Sequence, residues 1–481
     1  MIATEEQTMN ERHASPAMAL QANLSRRVNV GDMLTRSAAR APHRIALVER
    51  SCRLNYRAFN EAVNRCAHGL LGLGYRRGDV LGLMASNCIE LLVAYYACAK
   101  IGVVCTPVHL FWRQGELSYV LGHARVRGVM VQQRWLGELA LALPELTAVQ
   151  EVIVIAGTAP VEITLPGRIR SLTLAQLTAD LPADEPEVLV EHRAALSYLY
   201  TSGTTSAPKG VVGNHLAIYL EALGVVIDTE MKARDRMAAM MLMFHTAQLN
   251  AFCTPTIAAN ATLYILESFD APKLLDLIQA EGITSFFGLP MMFRGLLDEQ
   301  QLRPRKVSSL RRAVYAMAPM PDDELRRVMD MFGCELSLMF VQTEMSPAST
   351  CFLPEHQLSL AGAISMPSII VQASIMDDQR GLLSWGKSSE IVYRSPHLLT
   401  EYLLDEAASH EALRFGWFHS GDVGHFDTND MLWFEDRHRD VIESGGENIA
   451  SIKSRRPCMR RSRSWPKWWL SGCRTSVGAK R

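Results

Sequence analysis

Tyr200-Thr-Ser-Gly-Thr-Thr-Ser-Ala-Pro-Lys-Gly210 is the stretch on which the reading of this chain turns. An apolar segment, 194–199, leads into it as a strand would. Four hydroxyl residues, Thr201, Ser202, Thr204 and Thr205, surround Gly203. Small side chains and a glycine let backbone N–H groups approach an anion, and the hydroxyls add donors. Lys209 supplies a positive charge suited to a polyphosphate. The order differs from the Walker loop, where Gly-Lys precedes Ser/Thr and a helix. By composition alone a polar turn between strands is an equal reading; the full eleven-residue string is far more specific.

Outward from this loop the chain alternates helical and strand-like patterns from residue 30 to about 434. Positions 56–74 have helical spacing, with Phe59, Val63, Ala67, Leu70 and Leu71 on one face. Short apolar strands are expected at 80–85, 103–107, 128–131 and 152–156, with an apolar helix at 89–100. This predicts an α/β fold of layered sheets and helices with buried, mainly parallel strands. Residues 157–190, rich in Pro, Thr and Ala, read as connecting structure. The 481 residues exceed one ordinary core, so two or three domains are expected.

Composition narrows the function. The chain is 48% apolar and 21% charged, the balance of a soluble globular protein. A formal net charge of -1 argues against a nucleic-acid binder as a whole. Ten cysteines occur singly with no CxxC pair, which argues against zinc ribbons and suits a reducing cytoplasm. Residues 1–15 carry Glu5, Glu6 and Glu11 and no apolar run, so no signal peptide is expected. The most apolar region, 81–111, is broken by Glu90 and Lys100 and reads as strand, helix and strand, not as a membrane span.

Further motifs follow the loop in order: Met243-Phe-His245, Ala316-Met-Ala-Pro319, Phe340-Val-Gln-Thr-Glu344, Trp417-Phe-His-Ser-Gly-Asp422-Val-Gly424 and Asp436-Arg-His-Arg-Asp-Val-Ile-Glu-Ser-Gly-Gly-Glu-Asn-Ile449. Singly, each has a bland reading: a core histidine, an ordinary turn, a strand-edge loop, a turn aspartate, a charged hairpin. In this order, over residues 30–452, they resemble the adenylate-forming (AMP-binding) superfamily of acyl- and aryl-CoA ligases, luciferases and adenylation domains.

The resemblance implies roles. Thr201, Ser202, Gly203, Thr204, Thr205 and Lys209 would cradle the β- and γ-phosphates of ATP. Ala316, Met317, Ala318 and Pro319 would pack on adenine, with Phe340, Val341 and Gln342 beside the adenosine. Thr343 would bond the α-phosphate and Glu344 would hold Mg²⁺, a hard cation that often takes a single protein carboxylate alongside ATP. Thr204, Lys209, Thr343 and Glu344 are the candidate catalytic residues. Asp422 would accept from both ribose hydroxyls, since each carboxylate oxygen can accept. Arg437 would contact ribose or phosphate, Arg439 falls at the family's hinge, and Gly445 and Gly446 would let a loop approach coenzyme A. His245 and Gly288 would border the acyl pocket. The sequence departs from the family pattern at Ser206, Phe340 and Val341: Ser206 replaces a common glycine, Phe340 lacks a tyrosine's hydroxyl, and Val341 stands where glycine usually leaves room.

The implied chemistry is activation of a carboxylate by attack on the α-phosphate, then transfer of the acyl group from AMP to a thiol. Such a reaction relies mainly on positioning and charge neutralisation. Segment 244–250 has no aspartate to pair an amino-acid ammonium, which would be costly to bury alone. Segment 284–294, TSFFGLPMMFR, is apolar with two methionines, which suits a flexible chain. A fatty or alkyl acid is therefore expected, with aryl acids open. The expected partners are the small-molecule acid, ATP and coenzyme A; a homodimer is an open option.

The expected organisation is a flexible segment over 1–28, the large AMP-binding domain over 29–436, the hinge and start of a small α+β domain over 437–452, and an aberrant tail over 453–481. The tail holds ten Lys or Arg, no Asp or Glu, and Trp465, Trp468 and Trp469; the residues before it carry 39 basic and 50 acidic groups, a net of -11. In the family, the small domain continues and ends in a lysine that reaches the substrate. Lys467 and Lys480 lack its surrounding motif, so a frame change or premature end is expected after about residue 452, with impaired activity. The tail also permits binding to nucleic acid or an anionic membrane. Two other functions stay open: an adenylation module loading a carrier protein, and a non-catalytic nucleotide-binding remnant.

Overall fold

The structure, a computed structural model, describes residues 15–155, 165–201, 207–318, 320–360, 362–364 and 366–437, with the backbone of 442–444 and 447–449. Its frame is two large sheets. One has seven strands in the spatial order Arg170–Thr173, Glu151–Ile155, Gly128–Gln132, Val80–Met84, Val104–Pro107, Ala195–Thr201 and Lys209–Asn214. All neighbours in it are parallel except the last pair, an antiparallel hairpin. The other has nine strands, and its centre runs Glu335–Val341, Arg312–Ala316, Ser285–Gly288, Arg236–Ala239, Thr262–Ile265 and Ile45–Glu49, all parallel.

Helices Tyr56–Gly72, Ile89–Ile101 and His215–Asp228 lie between the two sheets and share one core with both. Helix Ile89–Ile101 is buried along nearly its whole length, which is why its sequence is apolar all round. The outer face of the nine-stranded sheet is covered by Ala271–Glu281, Pro290–Leu302 and Asp322–Phe332, and that of the seven-stranded sheet by Gln114–His123 and Leu136–Ala142. The layers thus alternate α/β/α/β/α, as parallel strands buried on both faces require. A third, antiparallel sheet of Gln372–Met376, Ser389–Arg394, Phe418–Phe426 and Leu432–Arg437 joins them. Its core takes in Val211 from the hairpin of one large sheet and Met345 from the turn beyond Val341 of the other. The three sheets therefore meet at one place.

The four strands and two helices read from periodicity are present within a residue or two. Two expectations need correction. The described part of the segment 1–28 is not loose: Ser15 caps helix Pro16–Arg26, whose Asn23 exchanges two hydrogen bonds with the backbone of Val190. Arg27 is buried on Asp32 at 2.8 Å. Polar residues hid this because the backbone that Asn23 and Arg27 bind, at Val190 and Val188, is more than 160 positions away. Within 157–190, strand Arg170–Thr173 and helix Leu174–Thr178 extend the seven-stranded sheet and its cover. Residues 1–14, 156–164 and the tail 453–481 lie outside the described residues. Among the described residues no helix is long and apolar enough to cross a membrane.

Candidate active site

Four parallel strands adjacent in the nine-stranded sheet end side by side, and a sequence-predicted segment follows each. Arg236–Ala239 leads to His245, Ser285–Gly288 ends on Gly288, Arg312–Ala316 leads to Met317 and Ala318, and Glu335–Val341 leads to Gln342, Thr343 and Glu344. Carboxyl ends of parallel strands are where open α/β sheets place ligands, because loops diverge there and leave a crevice. Ala316 is buried opposite Met339, whereas Met317 and Ala318 are exposed at the strand end.

The hairpin ends at Thr201 and Lys209 reach this row from the other large sheet. Thr201 pairs with Lys209 across the hairpin; Ser202, Gly203, Thr204 and Thr205 between them lie outside the described residues, as do Pro319, Arg439, Gly445 and Gly446. Segment 400–403 runs along the hairpin, with Thr400 donating to Val212 and Leu403 to Gly210 through the backbone. It presents Tyr402, whose ring lies 4.9 Å from the Lys209 ammonium and whose hydroxyl donates to Glu344 Oε1 at 2.9 Å. Lys209, Tyr402 and Glu344 are thereby tied into one row. Tyr402 was not singled out by sequence, and no periodicity or spacing there marks it.

Gln342 to Glu344 sit on a turn beyond a bulge at Phe340/Val341, closed by a hydrogen bond from Gln342 N to Pro347 O at 2.9 Å. Phe340 packs at 5.6 Å on Phe434, and Thr343, half-buried, opens a short 3-10 turn. The Gln342 side chain reaches back to donate to Asp422 Oδ2 at 2.5 Å. Arg437, mostly exposed, approaches Asp422 Oδ1 at 3.6 Å. Asp422 is buried on the strand Phe418–Phe426; burial raises its carboxyl to about 6, against the opposing pull of Arg437 and Gln342. Gly424 lets that strand lie close to its neighbour, since a Cβ there would sit 2.1 Å from Trp433 O.

His245 and Gly288 stand at the next two strand ends. The His245 ring meets solvent on one side and packs on Phe244 and His109 on the other, at 4.5 and 5.4 Å between centroids. That packing, then the second imidazole, lowers its basicity, so it is neutral at pH 7. A Cβ on Gly288 would come within 3.0 Å of Met240 Cε and 3.6 Å of Met292 Sδ. The surroundings of Gly288 are thus apolar and flexible.

No cluster of three or more His, Cys, Asp or Glu able to hold a metal occurs among the described residues. A magnesium ion carried by a nucleotide needs less. The half-buried Glu344 carboxylate is a hard oxygen donor bonded to Tyr402, whose ring meets the Lys209 ammonium, and that chemistry fits Mg²⁺ shared with phosphate oxygens.

Comparison with known proteins gives this arrangement its class. Residues 34–403 match the family described as AMP-binding enzyme, so the chain belongs to that family and is, by class, an AMP-forming acid–CoA ligase. Among particular relatives, it is 29% identical over 430 residues to a long-chain-fatty-acid–CoA ligase, FadD13, of Mycobacterium tuberculosis, covering 89% of this chain and 82% of that protein. It is 28% identical to a feruloyl-CoA synthase of an Amycolatopsis species, covering 88% and 82%. The inhibitor-bound N-terminal domain of FACL13 of Mycobacterium tuberculosis superposes with a TM-score of 0.75 at 28% identity, covering 85% of this chain and 99% of that one. An anthranilate CoA ligase in complex with anthranoyl-AMP superposes at 0.82 with 21% identity, over 90% and 82%, a likeness of fold.

Proposed function

We propose that the chain binds Mg·ATP and a fatty or alkyl carboxylic acid at the row of strand ends and makes the acyl-adenylate, with coenzyme A as the acceptor. The observation that carries this is the convergence of Lys209, Tyr402 and Glu344 with Gln342, Asp422 and Arg437 where the three sheets meet. Thr201, the 202–205 loop and Lys209 hold the β- and γ-phosphates, and Thr343 bonds the α-phosphate. Asp422 receives the ribose hydroxyls, for which its bond from Gln342 must be shared or released. Glu344 would hold Mg²⁺, which would supply neutralisation of phosphate charge when bound. Ala316, Met317, Ala318, Pro319, Phe340 and Val341 form the adenine side. His245, neutral, borders the acid without a competing charge, and Gly288 opens the apolar pocket.

The fatty or alkyl preference rests on Met240, Met292 and Phe293 around Gly288 and on the absence of an aspartate in 244–250. Relatives named for long-chain, medium-chain, feruloyl and indoleacetate substrates leave the acid to experiment. Gly445 and Gly446 serve coenzyme A, Arg439 is the hinge, and the reaction is cytoplasmic.

Pyrophosphate exchange into ATP with a panel of fatty, aryl and amino acids tests the reading. Exchange with fatty acids that Glu344→Ala abolishes supports it. ATP binding without exchange for any acid supports the nucleotide-binding remnant instead. Thioester formation with free coenzyme A separates the ligase from a module that loads a carrier protein.

A further inference from the structure

Behind the proposed nucleotide site two ionisable side chains are buried against each other. Glu221, on helix His215–Asp228, and His397, before the segment that carries Tyr402, have side chains 1% and 0% exposed, with Glu221 Oε2 3.5 Å from His397 Nδ1. Burial raises the glutamate to about 8 and lowers the histidine to about 3, so the pair is neutral overall at pH 7. Neither ring nitrogen of His397 has a hydrogen-bond partner among the described residues, and burying polar groups so poorly paired is costly where apolar residues of similar volume would not be. The reason for its presence therefore has to be sought in what it holds.

Its contacts run to both sides of Glu344. Glu221 Oε1 accepts from the backbone N of Ala348 at 3.2 Å. Ala348 pairs with Val341, which closes the base of the turn bearing Gln342, Thr343 and Glu344. On the other side, two residues beyond His397, Leu399 N donates to the backbone O of Glu344 at 2.7 Å. Farther on, Asn214 donates to the Thr400 hydroxyl at 2.9 Å, tying the segment to the loop hairpin, and Tyr402 meets the Glu344 carboxylate. One buried carboxyl thus anchors the turn from which Glu344 projects and faces the segment that caps it.

We propose that Glu221 and His397 are positioning residues, a buried clasp that sets the Glu344 carboxylate and Tyr402 against the Lys209 hairpin and so tunes affinity for the metal–triphosphate end of ATP. This rests on the nucleotide-site reading above. The clasp touches neither the strand end at Gly288 nor His245, so acid binding is independent of it.

The test titrates Mg·ATP and, separately, a medium-chain fatty acid into the full chain by calorimetry. Glu221→Leu and His397→Leu are expected to weaken Mg·ATP at least tenfold and to leave acid affinity within twofold. Glu221→Gln keeps an acceptor for Ala348 N and is expected to restore most of the loss. Folded leucine variants that bind Mg·ATP normally, that lose both ligands equally, or that the glutamine does not rescue would overturn the clasp. Should the leucine variants fail to fold, His397→Asn carries the test: a threefold or larger loss confined to Mg·ATP is expected, and unchanged affinity overturns the proposal. An unmodified chain that binds no Mg·ATP refutes the nucleotide-site reading itself, a result distinct from all of these.

Discussion

The Tyr402 hydroxyl donates to Glu344 Oε1 at 2.9 Å while the same ring lies 4.9 Å from the Lys209 ammonium, so one aromatic side chain touches both charged groups of the proposed phosphate site. Tyr402→Phe keeps the ring and removes the hydroxyl. The expected result is a three- to tenfold weaker Mg·ATP complex with a stability loss of only about 1 kcal/mol, the usual worth of one hydrogen bond. Calorimetric titration and thermal melting check it. Affinity equal to that of the unmodified chain would mean the hydroxyl does not orient Glu344.

Asp422 yields a prediction in which stability and binding move in opposite directions. Its folded pKa, about 6, lies above the ordinary carboxylate range. Stability from the protonated form is therefore fully present below about pH 4 and lost as pH rises through about 6. At pH 7.5 the ionised group is a cost on the order of 1–3 kcal/mol. Asp422→Asn should raise the melting temperature of the ligand-free chain at pH 7.5, with the gain shrinking at pH 5. AMP affinity should fall at least tenfold, because the amide loses the charge and puts an N–H donor where one of the two acceptor oxygens stood. A variant less stable at pH 7.5 than the unmodified chain would contradict the burial argument.

At Gly288 the new Cβ would meet Met240 Cε, the far end of a flexible side chain. Gly288→Ala should fold with a change of about 1 kcal/mol or less, since Met240 can move aside. Gly288→Phe fills the proposed pocket and should shift the exchange panel toward shorter acids with ATP affinity unchanged. An unaltered chain-length profile would remove Gly288 from the acyl pocket.

Val341 is half-buried at the bulge before the Gln342–Glu344 turn. Val341→Gly should cost about 1–2 kcal/mol from lost packing and backbone freedom. The same change should tighten AMP binding severalfold if the valine narrows the nucleotide site as its position implies. Melting and AMP titration of the variant decide between relief and simple damage.

Residue types and order determined the α/β class, the buried helix 89–101 and the segments proposed to bear the site, because periodicity and small polar loops are local properties of a chain. The helix over Pro16–Arg26 was not legible, since the backbone of Val190 that holds it is distant in sequence. Tyr402 escaped for the same reason: nothing beside it in the chain announces Lys209 or Glu344. Only the packing of three sheets at one junction decided that Gln342 would grip Asp422, that Tyr402 would bridge two charges, and that Glu221 would meet His397. Local pattern selects elements, whereas contacts between residues 58 to 193 positions apart exist only once burial of the apolar faces has brought those elements together.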